Sequence, residues 1–317
     1  MHRKIEIIVN NSELTAGTRG ASLGPGAIMT AARKTDNPYF SAYPLHPLPD
    51  FNHFLDQTST TEFAKNILPY KQVFEAVADK TQSILKRGSF PLILAGDHGS
   101  AAGTIAGIKA AFPEKRLGVV WIDAHGDLHS PYTTPSGNMH GMPLSLSLGN
   151  DNLAYRRNTP SDEVTRIWDE LKFKYTGSAK INPEDLIFIG VRDTEHEEDQ
   201  LIAENNITNH TVEALRREGS QEIVNQVLKQ LEACDAIYVS FDVDSMDPEV
   251  TSFGTGTPVG NGIFPDEAQE ILTLLAQDPK TTCIEFVEVN PCLDNKLNTM
   301  AETAFSLLES VTAALEK

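Results

Sequence analysis

Four short polar segments hold the residues most able to do chemistry: GDHG at 96–99, DAHGD at 123–127, DVD at 242–244 and EVN at 288–290. A carboxylate can bridge two divalent cations because it has two anionic oxygens, whereas a neutral imidazole gives one lone pair to one metal. One bridging aspartate from DAHGD and one from DVD, with His98, His125, Asp127 and Asp244 as terminal ligands, complete two mixed nitrogen–oxygen shells. Such shells favour a hard or borderline cation, and manganese suits them better than copper. Taken singly, each segment has a plainer explanation. A DxD is commonly a solvated turn or a helix cap, and an isolated histidine a surface or core residue.

Placement separates the two explanations. The apolar runs LILAG (92–96), LGVVWI (117–122), AIYVSF (236–241) and CIEFV (283–287) lead into the four polar clusters. They lack polar alternation, the pattern of strands buried on both faces of a parallel sheet covered by helices. In such sheets ligands bind beyond the carboxyl ends of the strands, so all the candidate ligands are expected at one sheet edge.

The remaining elements must hold that edge in place. A first strand is predicted over 5–10, then a Gly-rich loop running into a helix across 20–34, with Pro25 near the helix start. Helices are predicted over 61–86, 100–111, 162–173, 221–233 and 298–315, a further strand over 186–191, and a long loop over 129–140. Residues 38–58 show no periodicity and are read as an irregular surface excursion. With 317 residues and no Pro/Gly/Ser-rich linker, one domain over 1–317 is expected.

Composition excludes several function classes. A formal charge of −18 opposes nucleic-acid binding, which needs clustered Lys and Arg. The three cysteines, Cys234, Cys283 and Cys292, are odd in number and lack metal-type spacing, which points to reduced thiols in a reducing compartment. The opening MHRKIEIIVNN has no signal-type apolar region, and no apolar run reaches the length of a membrane span. A soluble cytoplasmic protein with no membrane partner is expected.

The ordered set GDHG, DAHGD, SGNMHG (136–141), SFDVDSMDP (240–248), TGTP (255–258) and EVNP (288–291) resembles the arginase/agmatinase (ureohydrolase) family. The likeness runs from near Gly20 almost to the carboxyl terminus, and SGNMHG is most similar to the arginase branch, which holds the substrate's α-carboxylate and α-amino groups with this loop. The resemblance implies an α/β fold, a three-layer α/β/α sandwich with a mainly parallel central sheet. It implies two Mn2+ per subunit, one held by His98, Asp123, Asp127 and Asp242, the other by Asp123, His125, Asp242 and Asp244. A hydroxide shared by the metals would attack the guanidinium carbon of L-arginine, giving L-ornithine and urea. A homo-oligomer, trimer or hexamer, is also implied.

Further roles carry over by position. Glu288 would pair with the guanidinium, whose planar fork meets a carboxylate directionally; the plainer alternative is a strand-end surface carboxylate. His140 would relay a proton to the leaving amine, or else merely order its loop. Ser136, Asn138 and Thr257 are candidate substrate-binding residues. In VRDTEHEED (191–199), Glu195 stands where the family has an aspartate that contacts the α-amino group, with Glu198 assisting; a solvated acidic helix start is the alternative. Two departures stand out. His129 replaces an asparagine that contacts the α-carboxylate, and Gly99 replaces a serine. The first leaves room for another guanidino or amidino substrate, such as agmatine, guanidinobutyrate or formimidoylglutamate, and a catalytically inactive guanidino-binding protein is the alternative outside enzymes.

Overall fold

The computed structural model describes residues 3–317; the first two residues of the segment inspected for a targeting signal lie outside them. Eight strands form one sheet: β1 (Ile5–Asn10), β2 (Leu45–Pro47), β3 (Phe90–Ala95), β4 (Leu117–Ile122), β5 (Leu186–Ile189), β6 (Thr208–His210), β7 (Ala236–Asp242) and β8 (Thr281–Val287). Their order across the sheet is β2-β1-β3-β8-β7-β4-β5-β6, and every pairing between these strands is parallel. Parallel neighbours require crossovers, which the intervening helices supply.

Helices cover both faces, as the uninterrupted apolar strands require. On one side Ile7, Leu92, Val120, Val239 and Phe286 pack against the helices Gly24–Lys34, Pro265–Gln277 and Thr299–Leu315. On the other, Ile8, Ile93, Val119, Trp121 and Tyr238 meet the helices Ile67–Lys86 and Ser100–Ala111. The alternation follows the two-residue period of side chains along a strand. A further apolar cluster around Phe74, Tyr70 and the fully buried Trp168 attaches the helix Asp162–Phe173 outside this second layer. The polar residues that matter therefore sit on a sheet buried from both sides, where their positions are set by packing.

Several local expectations change. The helix predicted from residue 61 starts at Ile67, because Asn66 takes a left-handed φ of 60° and its side chain donates to Leu14 O at 3.0 Å. Residues 38–58 contain the short helix Tyr39–Ala42 and the edge strand β2. An edge strand tolerates Pro47 because it leaves one side of its ladder unpaired. The strand predicted to 191 ends at Ile189, where Gly190 turns with φ 86°. The helix predicted over 221–233 is Ser220–Gln230, preceded by a separate helix, Val212–Glu218. The loop predicted over 129–140 is correct in extent except for the turn of helix beginning at Met139.

The β2 edge is clamped electrostatically. Buried Glu6 accepts from Arg87 Nη2 at 2.8 Å and lies 2.7 Å from His46 Nε2. Burial would raise the Glu6 pKa, but bonds from Ser89, His46 and Arg87 outweigh it and hold the carboxyl at about 2. Because the folded-state value lies below the unfolded one, the stabilisation is present above pH of about 4.5 and is lost as pH falls toward 2. Urea unfolding midpoints measured from pH 6 down to pH of about 2.5 are therefore expected to fall more steeply for the wild type than for Glu6→Gln.

Candidate metal centre and active-site cavity

Four adjacent strands in the middle of the sheet, β3, β8, β7 and β4, end at the same edge and deliver the polar clusters there. His98 follows β3, Asp123, His125 and Asp127 follow β4, Asp242 ends β7 with Asp244 just beyond, and Glu288 follows β8. His98, His125, Asp127, Asp242 and Asp244 border a cavity of about 320 Å³, and Asp123 and Glu288 lie beside them through their contacts with His98.

His98 Nδ1 lies 3.0 Å from Asp123 Oδ2, 3.2 Å from Asp127 Oδ2 and 3.1 Å from Asp242 Oδ2. His125 Nδ1 lies 3.1 Å from Asp244 Oδ2 and 3.5 Å from Asp123 Oδ1. Asp123 thus belongs to two of the three groups whose ligand atoms lie close enough to share an ion, one with His98 and Asp127 and one with His125 and Asp244; the third, His129 with Glu195 and Glu198, lies at the loop end of the cavity. Asp242 touches the first group through His98 and holds Asp244 N with its other oxygen at 2.8 Å. Supporting contacts lock these side chains. His98 Nε2 and Ser240 Oγ are 2.7 Å apart, and the ring stacks on Trp121 at 4.0 Å. Thr257 Oγ1 donates to Asp244 Oδ2 at 3.0 Å, and Ala124 N donates to Asp244 Oδ1 at 3.2 Å.

The donor set fits a pair of divalent cations. Buried His98 Nδ1 and Asp123 Oδ2 face each other, yet neither makes a hydrogen bond. Donor atoms that crowd together without bonding one another are arranged for an ion between them. The electrostatics agree. Burial, then repulsion from Asp244 and Asp123, pushes the Asp242 carboxyl well above its usual range; burial and neighbouring carboxylates likewise raise Asp127 and Asp244. Burial alone would lower the His98 pKa, but Asp123, Asp127 and Asp242 drive it well above normal. Without cations this cluster must take up protons; bound cations invert that preference.

Glu288 sits beside the cluster. Its Oε1 accepts from His98 N at 2.8 Å and lies 3.4 Å from His140 Nδ1. Burial opposes its charge, but His140 and the His98 amide outweigh burial and keep its pKa low. Its φ of 66° is a left-handed value that a glutamate adopts at a cost of about 1–3 kcal/mol. Asp127, with φ 50°, is held the same way. Both strained residues point into the site.

The expected substrate residues also converge here. His129, Ser136, Asn138, His140, Glu195, Glu198 and Thr257 all border the cavity. Two of them carry structural duties as well. Glu195 and Glu198 form a capping box at the start of the helix His196–Glu204, so the helix-start alternative is realised. Glu198 accepts from Leu128 N at 2.9 Å and Glu195 N at 3.1 Å. His129 Nε2 lies 2.9 Å from Glu195 Oε2, and this bond holds Glu195 down to about 2, while burial pushes Glu198 up to about 8. Sequence inspection missed Gly17, Thr18 and Asp193, which border the same cavity. They lie in loops without periodicity, and only the fold brings them to the site.

Comparison with known proteins agrees with this geometry. Residues 4–314 match the Arginase family. The arginase of Bacillus subtilis (strain 168) is 35% identical over 315 residues, covering 98% of each chain. The crystal structure of arginase from Bacillus cereus superposes with TM-score 0.79 at 31% identity, covering 97% of this chain and 98% of that one. The structure of Entamoeba histolytica arginase in complex with L-ornithine gives TM-score 0.79 at 25% identity, covering 97% of this chain and 99% of that one. The family match over residues 4–314 and the 35% identity to an arginase across 98% of each chain, in a chain whose own parallel sheet gathers carboxylate and imidazole donors at one edge, make it a member of the arginase family.

Proposed function

We propose that the protein is a binuclear manganese hydrolase that cleaves the guanidinium group of L-arginine to L-ornithine and urea, as a single catalytic domain over residues 1–317. The observation that carries this reading is the convergence of the buried His98, the partly exposed His125 and buried aspartates on shared positions, with the carboxylate of Glu288 beside them. His98, Asp123, Asp127 and Asp242 would hold one cation, and Asp123, His125, Asp242 and Asp244 the other. When bound, such a pair supplies a hydroxide nucleophile near neutral pH.

The chain's own groups then have distinct tasks. A guanidinium cation is a poor electrophile because its charge is spread over three nitrogens, so it must be oriented. Glu288 does this: Oε1 is engaged by His98 N, while Oε2 faces Gly256 at the cavity wall. Its strained backbone aims the carboxylate, and His98 N fixes its rotation. His140, partly exposed in the cavity and next to Glu288, delivers a proton to the leaving amine. Thr257 holds Asp244 in position. Ser136, Asn138 and His129 take the substrate α-carboxylate, and Glu195, with Glu198, takes its α-ammonium.

A second reading rests on the His129–Glu195 pair, which already satisfies two groups assigned to the α-amino-acid end. It favours another guanidino or amidino compound. No described helix is long and apolar enough to cross a membrane. A cytoplasmic homo-oligomer completes the proposal.

Metal-loaded protein is expected to release urea from L-arginine in a panel that includes agmatine, guanidinobutyrate and formimidoylglutamate; no urea from arginine would refute the substrate assignment. His125→Ala and Asp244→Ala are expected to lower the bound manganese measured by plasma mass spectrometry and to abolish turnover. Glu288→Gln, which keeps shape but removes charge, is expected to cut kcat/KM about a hundredfold, and unchanged kinetics would remove Glu288 from the reaction. His140→Ala should lower kcat by about a hundredfold or more with manganese content retained.

A further inference from the structure

The loop 136–138 does not stand alone. Lys65 N donates to Gly137 O at 2.8 Å, and Gly137 has φ 76° with its α-carbon pressed so close to Glu62 O that no side chain could fit. The segment just ahead of the helix Ile67–Lys86 is thereby docked onto the back of the loop. Across this junction Lys65 Nζ donates to Asn138 Oδ1 at 3.2 Å.

That bond decides which way the Asn138 amide faces. An ammonium has only donors, so it meets the amide oxygen and repels the amide NH2. The NH2 must then point away, and it does: a methyl group built on Gly17 would lie 2.7 Å from Asn138 Nδ2 and 3.9 Å from His140 Nε2, and all three residues border the cavity. Gly17 leaves the space in front of the NH2 open. Lys65 is half-buried and forms no ion pair with a carboxylate among the described residues, although the chain carries a net charge of −18. Its positive charge lies behind Asn138, at a wall of a carboxylate-rich cavity.

We infer that Lys65 is a specificity-positioning residue: through Asn138 it presents a fixed donor, backed by positive charge, that selects ligands ending in a carboxylate over their decarboxylated counterparts. This deepens the proposed function, on which it rests for the identity of the ligands. Lys65 itself touches no reacting atom. Without it the amide has no preferred orientation, and half its orientations turn an oxygen toward the substrate carboxylate.

The test compares binding of L-ornithine and putrescine, which differ by that carboxylate, to manganese-loaded wild type, Lys65→Gln and Lys65→Arg by titration calorimetry. The wild type is expected to prefer L-ornithine. Lys65→Gln should weaken L-ornithine about tenfold and leave putrescine within about twofold, while Lys65→Arg recovers most of the preference. With L-arginine the same loss should fall on KM rather than kcat. Gly17→Ala, which pushes on Asn138 Nδ2 without touching Lys65, should produce the same split and stands in if the Lys65 variants misfold. Equal weakening of both ligands, no weakening, or a wild type without preference overturns the inference. Absence of urea release by the wild type instead refutes the proposed reaction, because ornithine binding needs no turnover.

Discussion

Burying several carboxylates and imidazoles at one point is the constraint on which the rest of the molecule depends. Asp123, Asp242 and Asp244 are almost wholly shielded from water, as is His98. Moving an isolated carboxylate out of water is costly, and adding like-charged neighbours within a few ångströms makes it worse. Such a cluster persists only if something compensates for it, either protons or cations. The raised pKa values of Asp242, Asp127 and Asp244 are the protonic form of that compensation, and the converging, non-bonded His98 and Asp123 atoms are suited to the cationic one.

A cluster under that repulsion needs a rigid frame. The sheet supplies it: β3, β8, β7 and β4 lie side by side, sealed by helices on both faces, so their ends cannot spread. Behind the ligands, Trp121 stacks on His98 and Ser240 bonds its outer nitrogen, which sets the ring's orientation. Deeper still, Tyr238 OH donates to the buried Glu285 carboxylate at 2.6 Å. These contacts also allow Glu288 and Asp127 to keep left-handed backbones, since strain survives only where surroundings determine the conformation.

The loop-built end of the cavity follows a different logic. Its residues come from loops, and the loops hold one another. His129 hydrogen-bonds Glu195, the Glu195–Glu198 capping box starts a helix, and Glu198 reaches back to Leu128. Segment 191–199 is both a helix start and part of the cavity rim, because Glu195 and Glu198 form the capping box and still border the cavity. The 136–138 loop is similarly braced by 62–65. Floor and rim thus differ in what holds them, packed strands in one case and hydrogen-bonded loops in the other.

How much was legible follows from the same division. Long apolar runs without alternation identify buried parallel strands, and each of the four ends in ligand-type residues, so the candidate ligand cluster and its common edge could be read from the order of residues alone. Short or edge elements could not: Leu45–Pro47 and Thr208–His210 have three residues each, too few for any period to register. Nor could Lys65, which meets Asn138 across 73 positions. The chain's local chemistry determined the reaction class, because strand ends carry their ligands with them. Only tertiary structure decided which way Asn138 faces, that His129 pairs with Glu195, and that Glu288 is strained toward the site, because each depends on contacts between segments distant in the chain.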